Sequence, residues 1–241
     1  MVEVGRVSLD DIERAAELIK GVAVRTPMEE SRWLSALTGG PVLLKCENLQ
    51  RTGSFKIRGA YTRMSHLSEE ERSRGVVAAS AGNHAQGVAL AAQFLGIKAT
   101  VFMPEGAPIP KEKATRGYGA DVVFHGRYLE DALVEARRFQ EQTGAVLIHP
   151  FDSPEVVAGQ GTVGLEIVEQ APEVETVVVP CGGGAGRLDH HLRALEGRQH
   201  GTRQGGLRHR DDLVDVVAHG REGDLAGQPD GDPVGHGGHR A

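Results

Sequence analysis

The sequence predicts an α/β protein organised around a parallel sheet, and three observations lead there. From Gly75 onward, short apolar segments alternate with amphipathic ones, the pattern of βαβ units whose sheet is covered on both faces. The Gly-rich and polar loops follow the apolar segments, at the carboxyl ends of strands where open sheets of this class bind ligands. The 241 residues, 39% hydrophobic and 25% charged, fit one large or two modest soluble domains rather than a fibre or a disulfide scaffold.

The elements follow in order. Ser8 suits an N-cap before DDIERAAELIKGV, where Ile12, Ala15, Ala16, Leu18 and Ile19 share one helical face, and this helix stops near Gly21. RTP at 25–27 is a break, SRWLSALTG is a second short helix closed by Gly39 and Gly40, and PVLLKCE is a buried strand. The polar loop NLQRTGS leads into the helix FKIRGAYTRMSHL. Strands then fall at GVVAAS, ATVFMP, ADVVFHG and AVLIHPF, separated by helices at GNHAQGVALAAQFLG, PKEKATRGYG and LEDALVEARRFQEQTG. A Gly-rich turn, VVAGQGTVG, precedes a helix through Glu169, the strand TVVVP and the loop CGGGAG.

Charge and composition exclude several functions. A net charge of −6 leaves no basic face for nucleic acid. The N-terminus, MVEVGRVSLDDIERAAELI, begins acidic and amphipathic, unlike a signal peptide, and no run of about 20 apolar residues exists to span a bilayer. Cys46 and Cys181 lie far apart with no C-x-x-C spacing, so neither a disulfide framework nor a metal site is expected, and a reducing cytoplasm suits both.

Three segments carry chemistry, each opening a helix or turn after a strand. In KCENLQRTGSFKIRG, Lys56 follows Gly53, Ser54 and Phe55 at a helix start. A single Lys is usually a solvated surface residue; at a helix N-terminus the macrodipole lowers the pKa of an amine and favours its use as a Schiff-base nucleophile. In SAGNHAQG, Gly82 permits a tight turn and the following N–H groups leave a helix start, a site for a carboxylate or phosphate to which Asn83 adds a neutral donor. The same segment also reads as an ordinary βα loop, with His84 packed or capping. In VVVPCGGG, consecutive glycines offer a nest of N–H groups for phosphate, a weak signal by itself.

Together these segments resemble the threonine/serine dehydratase family of pyridoxal-phosphate enzymes, whose fold is of the tryptophan-synthase-β type (fold type II). The strings ENLQRTGSFKIRGA, ASAGNHAQGVA, FMPEGAPIPKEKATRGYGADVV, HPFDSPEVVAGQGTVGLEI and VVVPCGGG match its blocks in order, from about Val7 to Gly184. The resemblance implies an α/β fold of two open parallel-sheet domains. A small domain at 50–150 is inserted into a large one formed by 1–49 and 151–184, with the cofactor between them. It implies that Lys56 forms the Schiff base with pyridoxal 5'-phosphate and shuttles the Cα proton. Asn83 hydrogen-bonds the cofactor's phenolic oxygen, Phe55 packs on its ring, and Gly182, Gly183 and Gly184 hold its phosphate. The N–H groups of Ser80, Ala81, Gly82, Asn83 and His84 grip the carboxylate of a small hydroxy amino acid. The implied reaction is β-elimination of threonine, or serine, to a 2-keto acid and ammonia, by a homo-oligomer in its intact form. Related serine racemases carry a second serine where this chain has Ala81, which disfavours racemisation, and the Ser-Gly-Asn-Thr-Gly loop of cysteine synthases does not match GNHAQG. The resemblance leaves open an isoleucine-feedback biosynthetic or a catabolic role, an inactive remnant, and another lyase of the same fold.

After Gly184 the family's pattern, GGGG-L-x-x-G and further strands, is not recognisable. Of the 57 residues 185–241, all but Thr202 are of the ten types whose codons begin with G or C. In 1–184, 49 of 184 residues fall outside that set, a usage that predicts about 15 in the tail. A one-base slip in a GC-rich gene moves its G or C third positions into first place and yields this composition. We therefore read 185–241 as out of frame, natural or arising in sequencing, in preference to a disordered linker or a His-rich metal binder. The helix LDHHLRALEGR or a strand at DLVDVV could form locally, without an evident partner face. An incomplete large domain leaves the helix at 162–170 and the strand at 176–180 short of core partners. At about 1.5–3 kcal/mol per lost apolar side chain against a margin of about 5–15 kcal/mol, weak or no activity is expected of the chain as written.

Overall fold

The computed structural model of the chain describes residues 7–179 and the strand Val216–Gly220. Cys181, Gly182, Gly183, Gly184 and, apart from that strand, the tail at 185–241 lie outside the described residues.

Helix α1 (Leu9–Leu18) begins at Ser8, whose hydroxyl accepts the Asp11 N–H while the Asp11 carboxylate takes the Ser8 N–H in return. Strand β1 (Met28–Glu30), helix α2 (Arg32–Thr38) and strand β2 (Val42–Lys45) follow, then a 3₁₀ turn at Glu47–Leu49. Next come α3 (Lys56–Ser65), α4 (Glu69–Arg74), β3 (Val76–Ala79), α5 (Asn83–Leu95), β4 (Ala99–Met103), α6 (Ile109–Gly117), β5 (Asp121–Phe124), α7 (Leu129–Thr143) and β6 (Val146–Leu147). Helix α8 (Pro154–Gln170), β7 (Val174–Val178) and β8 (Val216–Gly220) complete the described elements.

The first sheet is parallel throughout, in the order β5-β4-β3-β6. One face packs Val76, Ala78, Val101 and Met103 against Val88, Ala89 and Ala92 of α5 and Ile57 and Met64 of α3. The other turns Val77 and Phe102 onto Ala132 and Ala136 of α7. This alternation on two buried faces is why β3 and β4 read as unbroken apolar runs. The chain winds outward from β3 to β4 to β5, then returns through α7 to set β6 on the other side of β3. Order therefore reverses between β3 and β6, and a crevice opens beyond their carboxyl ends.

The second sheet runs β1-β2-β8-β7, and every pairing in it is antiparallel. The parallel arrangement expected for both sheets therefore holds for the first; in the second, β1 pairs antiparallel with β2, and β8, from the tail, enters antiparallel between β2 and β7. The strand foreseen near DLVDVV forms at Val216–Gly220 with a partner on each side, since two neighbouring strands offer unpaired backbone groups to it. Strand β7 thus has a partner, and α8 packs against α1 and α3.

Two further points depart from the sequence reading. VVAGQGTVG is not a turn: α8 starts at Pro154 behind the Ser153 N-cap and runs through Gly159 and Gly161. The segment SEEERSR adds α4, opened by a capping box between Ser68 and Glu71. Among the described residues no helix is long and apolar enough to cross a membrane, and no group of three or more His, Cys, Asp or Glu could hold a metal ion.

Candidate active site

Lys56 is the first residue of α3, and the fold grips this helix from two sides. On one side Gly87 of α5 lies so close that a Cβ there would sit 3.0 Å from the Lys56 carbonyl carbon. On the other, α3 and α8 cross at glycines: a Cβ on Gly159 would fall 2.5 Å from Thr62 Oγ1 and 2.6 Å from Arg58 O. Glycine in a helix interior costs about 0.5–1 kcal/mol relative to Ala, and here it permits backbone contact that no side chain allows.

An ionic network pins the same helix. The fully buried Arg58 guanidinium donates to Glu47 at 2.8 and 2.9 Å, to Glu166 at 2.7 and 3.1 Å and to Thr162 at 3.1 Å. Lys45, also buried, donates to Glu166 at 2.6 Å, to Gln170 at 2.6 Å and to the Thr26 carbonyl at 2.7 Å. Two cations and two carboxylates balance, so each buried charge has an opposite partner in hydrogen-bond contact. Burial pulls the Arg58 value down, but the bonds to Glu47 and Glu166 outweigh it and hold the guanidinium above its ordinary value.

The Lys56 amine reaches the loop that follows β6. Its Nζ donates to the Pro150 carbonyl at 3.1 Å and lies 4.8 Å from the centre of the Phe55 ring. Burial lowers its pKa to about 8. The sequence offered the helix dipole as the reason; desolvation is the cause that acts. Phe55 also packs against the cluster of Val163 and Ile167.

The SAGNH segment joins β3 to α5 and reaches the same loop through His84. Ser80 closes β3 by donating its N–H to Phe102 O at 3.0 Å, and Ser80 Oγ accepts the Gly82 N–H at 3.1 Å. The Ser80 and Gly82 N–H groups, both expected to grip the substrate carboxylate, are therefore already engaged, that of Ser80 by the sheet; the first turn of α5, at Asn83 and His84, carries no side-chain cap. His84 is buried, and its Nε2–H donates to the Ile148 carbonyl at 2.8 Å, which fixes the tautomer, because a carbonyl only accepts. Burial first, then the nearby Lys56 and His149, lower its pKa to about 3, so the ring is neutral beside the lysine.

The loop between β6 and α8 thus takes a hydrogen bond from His84 at Ile148 and from Lys56 at Pro150, and joins residues from three segments at the point where strand order reverses. Gln160 of α8 donates to the same Pro150 carbonyl at 3.1 Å. Sequence reading missed Pro150, Gln160 and Lys111, whose Nζ donates to Asn83 Oδ1. The first two act through backbone and topology; Lys111 is one of six lysines with nothing local to single it out. Ala81 lies in the turn between β3 and α5.

The crevice suits an aldehyde cofactor with anionic oxygens. It holds a desolvated amine that is partly neutral at physiological pH and an uncapped helix start. Two buried polar atoms nearby in sequence, Ser54 Oγ and Gln86 Nε2, have no hydrogen-bond partner among the described residues.

Comparison with known proteins agrees with that chemistry. A family profile described as "Pyridoxal-phosphate dependent enzyme" matches residues 19–188, and the chain belongs to this family. It is 60% identical over 178 residues to the L-threonine ammonia-lyase of Thermotoga maritima, covering 74% of this chain and 44% of that protein. It is 51% identical over 179 residues to the catabolic L-threonine dehydratase TdcB of Staphylococcus aureus, covering 74% of this chain and 52% of that protein. Among solved structures, maize serine racemase superposes with a TM-score of 0.76 at 40% identity, covering 80% of this chain and 59% of that one. The chain thus spans about half the length of the curated relatives it matches.

Proposed function

We propose that this chain is the cofactor-binding core of a threonine dehydratase (ammonia-lyase), which converts threonine to 2-oxobutanoate and ammonia, and serine to pyruvate. The observation that carries the reading is the Lys56 amine at the start of α3, bonded to the Pro150 carbonyl in the loop after β6, where strand order reverses. Pyridoxal phosphate, when bound, supplies the electron sink that stabilises negative charge at the substrate Cα. Lys56 would hold the cofactor, and its amine would take up the Cα proton. By the family resemblance Asn83 would hold the cofactor's phenolic oxygen, Phe55 would pack on its ring, and Gly182, Gly183 and Gly184 would hold its phosphate. The N–H groups at Ala81, Asn83 and His84 hold the substrate carboxylate; that of Gly82 joins them only by leaving Ser80 Oγ. Neutral His84 braces the β6–α8 loop without adding a second cation beside Lys56.

The domain division into 50–150 and the segments around it belongs to the same proposal, as do a cytoplasmic location, a homo-oligomeric intact form and the absence of nucleic-acid and membrane partners. The word "catabolic" in the name of the staphylococcal relative supports degradation over isoleucine biosynthesis. Ala81 in place of a serine supports elimination over racemisation. An inactive remnant is the second reading, favoured by the small cluster beneath the second sheet, which among the described residues has two buried members, Val163 and Ile167. Mixing the full chain with pyridoxal phosphate and threonine separates the readings. The dehydratase shows a visible cofactor band and releases 2-oxobutanoate, and Lys56→Ala loses both; a chain that binds no cofactor and yields no keto acid is a remnant.

A further inference from the structure

Lys111 stands in the first turn of α6, which packs on α5, and its Nζ donates to the side-chain oxygen of Asn83, the first residue of α5. Both residues are half-buried. Among the described residues no carboxylate pairs with Lys111, whereas Lys113 on the same helix is exposed. The contact bears on Asn83 because a primary amide is two-faced: turned one way it offers an acceptor, turned the other it offers two donors. An ammonium group only donates. It therefore holds the amide oxygen against α6 and leaves the NH₂ as the end that meets anything bound beyond it.

We propose that Lys111 is a positioning residue that locks the Asn83 amide with its N–H donors toward the bound group, and so tunes the site for an anionic oxygen. This rests on the cofactor reading above, in which that oxygen is the phenolic one. Two effects add. The lock removes the flipped orientation, in which the amide oxygen would face and repel the anion. The charge also polarises the amide, strengthening the N–H bonds on its far side, as chained hydrogen bonds do in a low-dielectric setting. Lys111 itself touches neither the cofactor nor the substrate.

Selective ¹⁵N labelling of asparagine gives a direct test, since the chain has only two, Asn48 and Asn83. In the full chain without cofactor, Lys111→Met shifts the Asn83 side-chain amide pair and leaves that of Asn48 in place, and Lys113→Met moves neither. An Asn83 pair indifferent to Lys111→Met overturns the proposal whether or not the chain binds cofactor. With pyridoxal phosphate added, Lys111→Met weakens binding by about tenfold or more, the effect of one charge-assisted hydrogen bond. It also moves absorbance from the visible band to the near-ultraviolet band of the neutral tautomer, and Lys111→Arg restores the visible band. Unchanged affinity and band ratio in Lys111→Met contradict the proposal, while a wild-type chain without any visible band contradicts the cofactor reading alone.

Discussion

On the parallel sheet Val76, Val77, Ala78, Val101, Phe102 and Met103 are buried against helices on both faces. On the antiparallel sheet β7 has no buried residue, and among the described residues the cluster beneath it has two buried members, Val163 and Ile167. The same kinds of apolar residue are thus held at different depths. Among the described residues packing depth follows how far helices cover each sheet, and the first is covered on both faces. Lys56 sits where these bodies meet: α3 packs into the first core through Ile57, Ala60 and Met64, and is tied to α8, above the second, by Gly59, Gly159 and the Arg58 network.

The largest expected effect comes from cutting that tie. Arg58→Met leaves the buried Glu47 and the half-buried Glu166 with Lys45 as the remaining cation and costs about 3–5 kcal/mol, read as a lower urea midpoint. A loss below 1 kcal/mol would show the network to be dispensable.

Truncations probe the two cores directly. Ile57→Ala, in the deep core, falls toward the top of the usual range of about 2–5 kcal/mol, and Ile167→Ala toward the bottom, because the half-buried neighbours of Ile167 are freer to move into the space left. Equal losses in denaturant titrations would erase the distinction between the sheets. Gly159→Ala tests the helix crossing: its Cβ meets Thr62 Oγ1 and Arg58 O, so overpacking costs about 1–3 kcal/mol and lowers the melting temperature.

Much of this was legible in the sequence, and the misses share a cause. The strands and helices from Gly75 to Gly144 announce themselves by period and by their glycine stops, and Lys56, Asn83 and His84 stand in distinctive local strings. Gly159 and Gly161 read as a turn because glycine breaks helices in isolation; the compensating contacts come from Arg58, Thr62 and Ile12, far away in sequence. The meeting of Lys56 with His84 at Ile148 and Pro150 follows from the return of β6 to the side of β3, which no local pattern encodes. The burial that governs the Lys56 pKa is likewise a tertiary property, whereas the helix start that suggested a dipole effect is a local one.

The smallest effect is one of slope. The Lys56 amine titrates near 8 when folded, against 10.5 for an ordinary lysine. Between those values the unfolded chain binds more protons than the folded one, so stability gained at this site rises with pH across that window. Lys56→Met is accordingly more stable than wild type below pH 8, and the gap narrows as pH approaches 10.5, measured by paired urea titrations. A gap constant with pH would mean that the amine is solvated.

The measurement closest to the central claim is chemical capture of the lysine. The full chain is mixed with pyridoxal phosphate, reduced with borohydride and digested, and its peptides are weighed. A single phosphopyridoxyl group on the peptide containing Lys56 is the predicted result. Label spread over surface lysines, or found on another lysine while Lys56 stays unmodified, would contradict it.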